Sequence, residues 1–176
     1  PASGLTTEEI IRLMVGRDLT NRFPPKTNEP GEVLLEVQGL SGRYDPTCHQ
    51  VSFSLRKGEI LGVAGLVGSR RTELLETIFG AAHKGEGRLL LHGKPVENRS
   101  PGEAIANGFA LLTEERRATG IVPLQSITFN SVLANLKSYR RAGPFLSDPA
   151  MEKDAGWVID SMKVKTPSSK TPIQSP

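Results

Sequence analysis

The chain has 176 residues, of which 37% are hydrophobic and 23% charged, an ordinary balance for one globular domain with appendages. Its 22 basic and 19 acidic side chains leave a formal charge of +3, and the basic residues cluster only as the pairs Arg70-Arg71, Arg116-Arg117 and Arg140-Arg141, so charge makes no case for a nucleic-acid partner. Cys48 is the single cysteine, which excludes an intrachain disulfide; no apolar run has the length to span a bilayer, and the opening residues lack a signal-peptide pattern.

In chain order, the first predicted element is a helix. Thr6 is a good N-cap with Glu9 three residues on, and Ile10, Leu13 and Met14 form an apolar stripe that Gly16 ends. Asn21 to Gly31, with its prolines, reads as a linker, so residues 1–30 are expected to be an inter-domain helix and linker. Glu32 to Val37 and Val51 to Leu55 read as strands, the second alternating apolar residues with serines, and Lys57-Gly58 is a turn. Ile60 to Ala64 is a short apolar run of the kind that forms a strand buried on both faces. A helix is expected from about Thr72 to Phe79, stopped by Gly80. Arg88 to His92 and a strand near Val96 flank a hairpin at Gly93-Lys94-Pro95. Ser100-Pro101-Gly102-Glu103 opens another helix, and Phe109 to Thr113 reads as a second buried strand.

These alternations predict an α/β core with parallel strands over residues 31–120. Beyond Gly120 the pattern turns helical, with helices over Asn130–Tyr139 and Pro149–Met162, the latter capped by Asp148, making residues 121–165 a partial helical subdomain. Residues 166–176, rich in Ser, Thr, Pro and Lys, read as a flexible tail. His49, His83 and His92 lack metal-ligand spacing and read as structural or solvent-exposed.

The stretch with chemical content runs from Ile60 to Glu73. A phosphate-binding loop needs a buried strand, a tight glycine-bearing turn and a helix N-terminus, whose backbone N–H groups and dipole favour an anion. Against the pattern G-x-x-x-x-G-K-[ST], Gly65 matches the first position and Thr72 the last, while Arg70 replaces the second glycine and Arg71 the lysine. Arg71 retains positive charge, but as a planar guanidinium. Arg70 puts bulk where glycine normally allows any dihedral, and Gly68 is a second source of freedom. The candidate nucleotide site is therefore Gly65, Gly68, Ser69, Arg70, Arg71 and Thr72, with the Thr72 hydroxyl available to Mg²⁺. The competing reading is an ordinary strand-turn-helix corner.

The wider context resembles a known family. Val51 to Ile60, leading into the loop, resembles the opening of ABC transporter ATPase domains, and Gly65 to Glu73 looks like the altered loop in the second ATPase half of bacterial monosaccharide importers. Gly108 to Gly120 resembles the segment holding that half's Q-loop, Met14 to Arg17 the segment joining the two halves, and Trp157 to Pro167 part of the helical subdomain. Within that family the chain looks like the branch that imports galactose or methyl galactoside.

The resemblance implies an α/β P-loop NTPase fold of ABC ATPase type, with antiparallel strands and part of a helical subdomain. It implies ATP and Mg²⁺ as cofactors. Its implied partners are a transmembrane sugar permease, the other ATPase half, a second subunit copy and, indirectly, a periplasmic sugar-binding protein. The implied location is peripheral, on the cytoplasmic face of the inner membrane. Tyr44 falls where the family stacks an aromatic ring on adenine, although a loop tyrosine without a ligand is the simpler reading. Glu114 falls at the Q-loop position, usually Gln, where a carboxylate could meet Mg²⁺ or instead pair with Arg116 or Arg117.

An LSGG signature, an apolar strand ending in Asp-Glu and a switch histidine are absent from the sequence, and Trp157–Asp160 has helical rather than strand spacing. The expectation is therefore an N-terminal fragment of that half, with no catalytic residue of its own and weak nucleotide binding. A non-catalytic nucleotide-binding or regulatory module docking on a permease is the alternative. A small P-loop kinase would need the loop lysine and an acceptor-site base, and neither is found.

Overall fold

A computed structural model of the chain describes residues 4–15, 25, 27–141, 143 and 145–174. Gly16 and Arg17, and residues 21–24 and 26 of the expected linker, lie outside the described residues; the remainder of the linker is exposed and lacks helix or strand. The chain divides into two compact units, Pro1–Asn107 and Gly108–Pro176.

The first unit opens with α1 (Thr7–Val15). The capping box forms as the spacing requires: the Thr6 N–H donates to Glu9 Oε2 at 2.9 Å and the Glu9 N–H to Thr6 Oγ1 at 3.3 Å. Those hydrogen bonds, the backbone one first, hold the Glu9 carboxyl below the usual carboxylate range. No side chain of α1 is buried, so its apolar stripe faces solvent.

The sheet has four strands in the order β2-β1-β3-β4, with β1 Val33–Gly42, β2 Val51–Arg56, β3 Lys84–Leu91 and β4 Lys94–Val96. β1 runs five residues past its expected end because the ladder absorbs Gly39 as an irregularity. Gly39 takes φ +58°, the register shifts between Val37 and Leu40, and the Gly39 N–H donates to Ser52 Oγ at 2.8 Å. β3 likewise starts earlier than expected. Gly85 and Gly87 there are not breakers but close-approach positions: a Cβ on Gly87 would lie 2.4 Å from the Gly39 carbonyl oxygen. The hairpin turn falls at His92-Gly93, both at positive φ, which suits the twist of the flanking strands and moves the turn one residue earlier than expected. Leu35, Val37, Leu40 and Leu89 make the sheet's buried face.

α2 (Arg71–Phe79) packs on β1 and β3 through Leu74, Thr77 and Ile78. Its C-terminus is clamped from beyond β4, where buried Asn98 donates from Nδ2 to the Ile78 carbonyl at 2.7 Å. Gly80, at φ +74°, comes so close to the Asn98 backbone that a Cβ would lie 2.4 Å from its oxygen. In α3 (Pro101–Ala106) Ser100 caps the Glu103 N–H at 3.3 Å, while the Glu103 carboxylate accepts from the Arg99 N–H rather than from the cap residue's own.

The expected parallel core is not what the described residues build. Every strand pairing in the sheet is antiparallel. Ile60–Ala64 and Phe109–Thr113, expected as buried strands, have no strand assignment, and Ile60 is 92% and Leu112 98% exposed. An apolar run becomes a doubly buried strand only when neighbouring strands and covering layers receive it, and no described strand pairs with either segment.

In the second unit, α4 (Ile127–Val132) is capped by Ser126 Oγ on the Phe129 N–H and continues as a 3₁₀ segment, Leu133–Tyr139, with a break at Asn135. The single helix expected over Asn130–Tyr139 is thus two pieces starting earlier. α5 (Asp148–Met162) starts one residue before its expected beginning: Ser147 is the cap residue, and Asp148 lies inside the first turn with Pro149. Met151, Ala155, Val132 and Thr128 are buried where α4 and α5 pack.

Residues 166–174, expected as a flexible tail, are instead tied to the start of α4. The Ile127 N–H donates to the Thr171 carbonyl and the Thr128 N–H to Ser169, while the Ile173 and Gln174 N–H groups return to Gln125 and Pro123. Composition suggested disorder, but the orphan donors of α4's first turn give this segment somewhere to pair.

Replacing Leu40, fully buried at the sheet centre, with Ala is expected to cost about 2–5 kcal/mol. Leu112→Ser, at a nearly fully exposed position, should stay within about 0.5 kcal/mol. Urea unfolding of this chain checks both, and equal effects would mean that the sheet is not the core of the first unit.

Candidate functional site

The loop Gly65–Arg70 connects the unpaired apolar run to α2. Its curvature is set locally. The Ser69 N–H donates to the Leu66 carbonyl at 3.0 Å, closing a turn in which Gly68 takes φ +84°. Gly65 is required by close approach: a Cβ there would stand 2.3 Å from Ser69 Oγ and 3.4 Å from Arg71 Cδ. Gly65, Gly68, Ser69, Arg70, Arg71 and Thr72 are thus one contiguous turn at the N-terminus of α2, and all six are exposed.

Arg70 bends the chain into the helix in the left-handed region, at φ 65° and ψ 29°. Glycine takes this conformation freely, whereas an L side chain there costs roughly 1–2 kcal/mol. Gly68 therefore does not substitute for the missing second glycine; the arginine itself carries the strain. Part of that cost is offset by a partly exposed ion pair, Arg70 Nη1 to Glu73 Oε1 at 3.1 Å. Glu73 had no role in the sequence reading, although the i, i+3 spacing from Arg70 was there to be seen. Its carboxyl is held below the usual range first by its own backbone N–H and then by the hydrogen bond from Arg70.

The first intrahelical bond of α2 runs from the Leu74 N–H to the Arg70 carbonyl. The N–H groups of the first turn precede it, at the end of the helix where the dipole favours an anion. Together with the Arg71 guanidinium and the Thr72 hydroxyl they form the donor set that suits phosphate oxygens and a hydrated Mg²⁺. The residues at the phosphate end therefore fit a nucleotide, with one carboxylate already among them.

Tyr44 lies just past β1 and is 64% exposed. The Arg43 guanidinium sits over its ring, 5.5 Å from the centroid, and His83 meets it edge-on at 6.0 Å. Beside it a polar hollow of about 530 Å³ is lined by Ser41, Arg43, His49, Lys84 and Glu86 among others, a feature that the sequence reading did not anticipate. His49 approaches Asp45 at 3.3 Å. Among the described residues no three of His, Cys, Asp and Glu gather as a metal site.

Glu114 belongs to the second unit. It is exposed, on the bend before a π-turn at Arg116–Gly120 that Thr119 steadies by donating from Oγ1 to the Glu115 carbonyl at 2.8 Å. The buried Thr113 hydroxyl beside it has no hydrogen-bond partner. Of the apolar residues that follow, Val122 and Leu124 are exposed, while Ile121, Ile127 and Phe129 are half-buried. Asn130 fixes the Val122 backbone by bonding both its N–H and its carbonyl.

Residues 48–173 match the family model described as ABC transporter. The chain is 57% identical over 175 residues to the galactose/methyl galactoside import ATP-binding protein MglA of Mannheimia succiniciproducens, covering 99% of this chain and 35% of that protein. It is 51% identical, with the same coverage, to the Escherichia coli protein of that name. The chain thus spans about a third of the length of these relatives. Among solved structures, an ATP-binding cassette dimer in a post-hydrolysis state, bound to ADP and Pi, matches with a TM-score of 0.61 at 16% identity, over 79% of this chain and 61% of that one. A second ATP-binding cassette of an ABC transporter matches with a TM-score of 0.56 at 20% identity, over 76% of this chain and 55% of that one. At those identities the likeness is one of fold.

Arg70→Gly is expected to stabilise the chain by about 0.5–1 kcal/mol, because relief at positive φ outweighs the loss of a partly exposed ion pair. Arg70→Ala should destabilise it, since the strain remains and the pair is lost. Thermal unfolding of both variants decides, and the opposite order would mean that Arg70 is unstrained in solution.

Proposed function

The chain belongs to the ABC transporter family of ATP-binding proteins, and on that footing we propose that it is part of the ATP-binding subunit that powers import of galactose or methyl galactoside. The observation that carries the nucleotide-binding reading is the turn Gly65–Thr72 at the N-terminus of α2, with Gly65 in forced close approach and Arg71 and Thr72 in the first helical turn. The sugar rests on the names of relatives that share over half of their aligned residues with this chain.

In this reading the phosphates lie on the first-turn N–H groups of α2 and beside Arg71, and the Thr72 hydroxyl faces Mg²⁺. The Tyr44 ring offers a stacking surface for the base on the side opposite Arg43. Glu114 stands at the Q-loop position and contributes to metal contact or to permease communication. Residues 1–30 act as the inter-domain helix and linker, residues 31–120 as the nucleotide-binding core and residues 121–165 as part of the helical subdomain. The partners are a transmembrane permease, the other ATPase half, a second subunit copy and, through the permease, a periplasmic sugar-binding protein. Such a subunit works on the cytoplasmic face of the inner membrane. No helix among the described residues is long and apolar enough to cross a membrane.

This chain alone is not expected to hydrolyse ATP. Phosphoryl transfer depends on positioned charge and a positioned nucleophile, and the loop supplies charge without a base. The second reading, a regulatory nucleotide-binding module docking on the permease, is favoured by the two arginines at the expected glycine and lysine positions. Nucleotide-dependent affinity for the permease is common to both readings; turnover in the assembled complex separates them.

Calorimetry with Mg·ATP is expected to show weak binding at best and no turnover above background. Magnesium-dependent hydrolysis abolished by Thr72→Ala would overturn the inactive reading. In the complete subunit, charge introduced at the exposed Val122 and Leu124 should weaken co-purification with the permease while leaving nucleotide affinity unchanged. An intact complex would move the docking face elsewhere.

A further inference from the structure

We propose that the polar hollow at the end of β1 is a binding site for a small zwitterion of the α-amino acid class, the ligand's carboxylate lying on the Arg43 guanidinium and the Ser41 hydroxyl and its ammonium on the Glu86 carboxylate. The site is separate from the loop Gly65–Thr72, none of whose residues lines the hollow.

The hollow has a volume of about 530 Å³, ample for a ligand of this size. Backbone contacts fix its walls. The Arg43 N–H donates to the His83 carbonyl at 2.8 Å and the Gly42 N–H to the Cys48 carbonyl at 3.1 Å. Gly85 comes so near β1 that a Cβ there would lie 2.8 Å from the Gly42 oxygen. Gln50, at φ 48°, donates its N–H to Ser41 Oγ at 2.9 Å. Two of the hollow's side chains are already engaged: Lys84 pairs with Glu97 at 2.9 Å and His49 with Asp45 at 3.3 Å. Three others are not. The Arg43 guanidinium has no ion pair or hydrogen bond among the described residues and rests over the Tyr44 ring, 5.5 Å from its centroid. The Glu86 carboxylate likewise has no partner among the described residues. Ser41 is only 8% exposed, and its hydroxyl, having accepted from Gln50, finds no acceptor for its own proton among the described residues. Ser41 and Glu86 are direct partners in the β1–β3 ladder, which sets both side chains on one face, and Arg43 follows two residues on. The open groups are thus one cation, one anion and one buried hydroxyl donor. An anion alone would meet Glu86 as a like charge, and a cation alone would meet Arg43. A ligand carrying both signs answers both groups, with the guanidinium fork matched to its carboxylate. Arg43 is shared with Tyr44, so a bound carboxylate changes the surroundings of that ring.

The test titrates L-alanine into the chain and follows the amide resonances of Ser41 and Glu86 and the ring resonances of Tyr44 by NMR. Acetate, ethylammonium and D-galactose are titrated separately, as probes carrying the negative charge, the positive charge or hydroxyls alone. The same titrations are run on Arg43→Gln and Glu86→Gln, with Lys94→Gln as the control for net charge, after each variant is shown to melt with the parent. L-alanine is expected to give saturable shifts at all three residues, and each of the other probes to bind at least about tenfold more weakly. Arg43→Gln and Glu86→Gln should each weaken L-alanine at least about tenfold, and Lys94→Gln should stay within about twofold of the parent. The Tyr44 ring shift should vanish in Arg43→Gln. No saturable shift with L-alanine overturns the proposal. Acetate binding as well as L-alanine, and tighter in Glu86→Gln, would make the hollow a plain anion site and overturn the zwitterion assignment. Binding of D-galactose as tight as that of L-alanine overturns it also, and so does an equal loss in Lys94→Gln, which would reduce the effect to general charge. All of these outcomes leave the nucleotide reading of Gly65–Thr72 untouched.

Discussion

The geometry of the loop depends on how α2 is anchored at its far end. Leu74, Thr77 and Ile78 are buried against β1 and β3, and Asn98 grips the Ile78 carbonyl while Gly80 lets the two backbones close on each other. Thr77 adds a bond from Oγ1 to the Glu73 carbonyl at 2.7 Å, tying the first turn to the buried middle of the helix. A nine-residue helix held this way is a short rigid rod. Its N-terminus, where loop and ligand donors lie, projects into solvent with no packing of its own, so site precision derives from contacts made one and two turns away.

The same sheet explains which apolar residues are satisfied and which are not. β1 has antiparallel partners on both edges, and its inward positions Leu35, Val37 and Leu40 are buried. The apolar run Ile60–Leu66 has no partner strand among the described residues, and its exposed side chains form a surface of the kind that other chains or domains cover. Hydrophobic composition states what a segment would gain from burial; it does not supply the neighbours that bury it.

At the loop, strain and charge meet in one residue. A glycine at position 70 would leave the first turn electrically open and the backbone relaxed. Arginine instead holds the left-handed bend at some cost and turns a cation toward Glu73. The substituted loop is thus preformed, with one of its two cations already paired to a carboxylate of its own helix.

Features governed by neighbours in the chain were legible in the residues alone. The Thr6–Glu9 box, the Ser100 cap, the stop at Gly80 and the β2 alternation need only a few consecutive side chains and backbone bonds, and the structure has all four. The order of motifs was likewise enough to identify the family that the comparisons report. Features requiring a distant partner were not legible. The start of β3 before Arg88, with Gly85 and Gly87 in close approach to β1, had no local signal, and residues 166–174 read as loose until the first-turn donors of α4 received them. Ile60–Ala64 and Phe109–Thr113 read as buried strands and remained unpaired. Local sequence determines the propensity, caps and turns of this protein because those energies are exchanged between adjacent residues. Only the tertiary structure decided which strands pair, which glycines are obligatory and where Arg70 directs its charge, because each of those depends on atoms brought together by the fold.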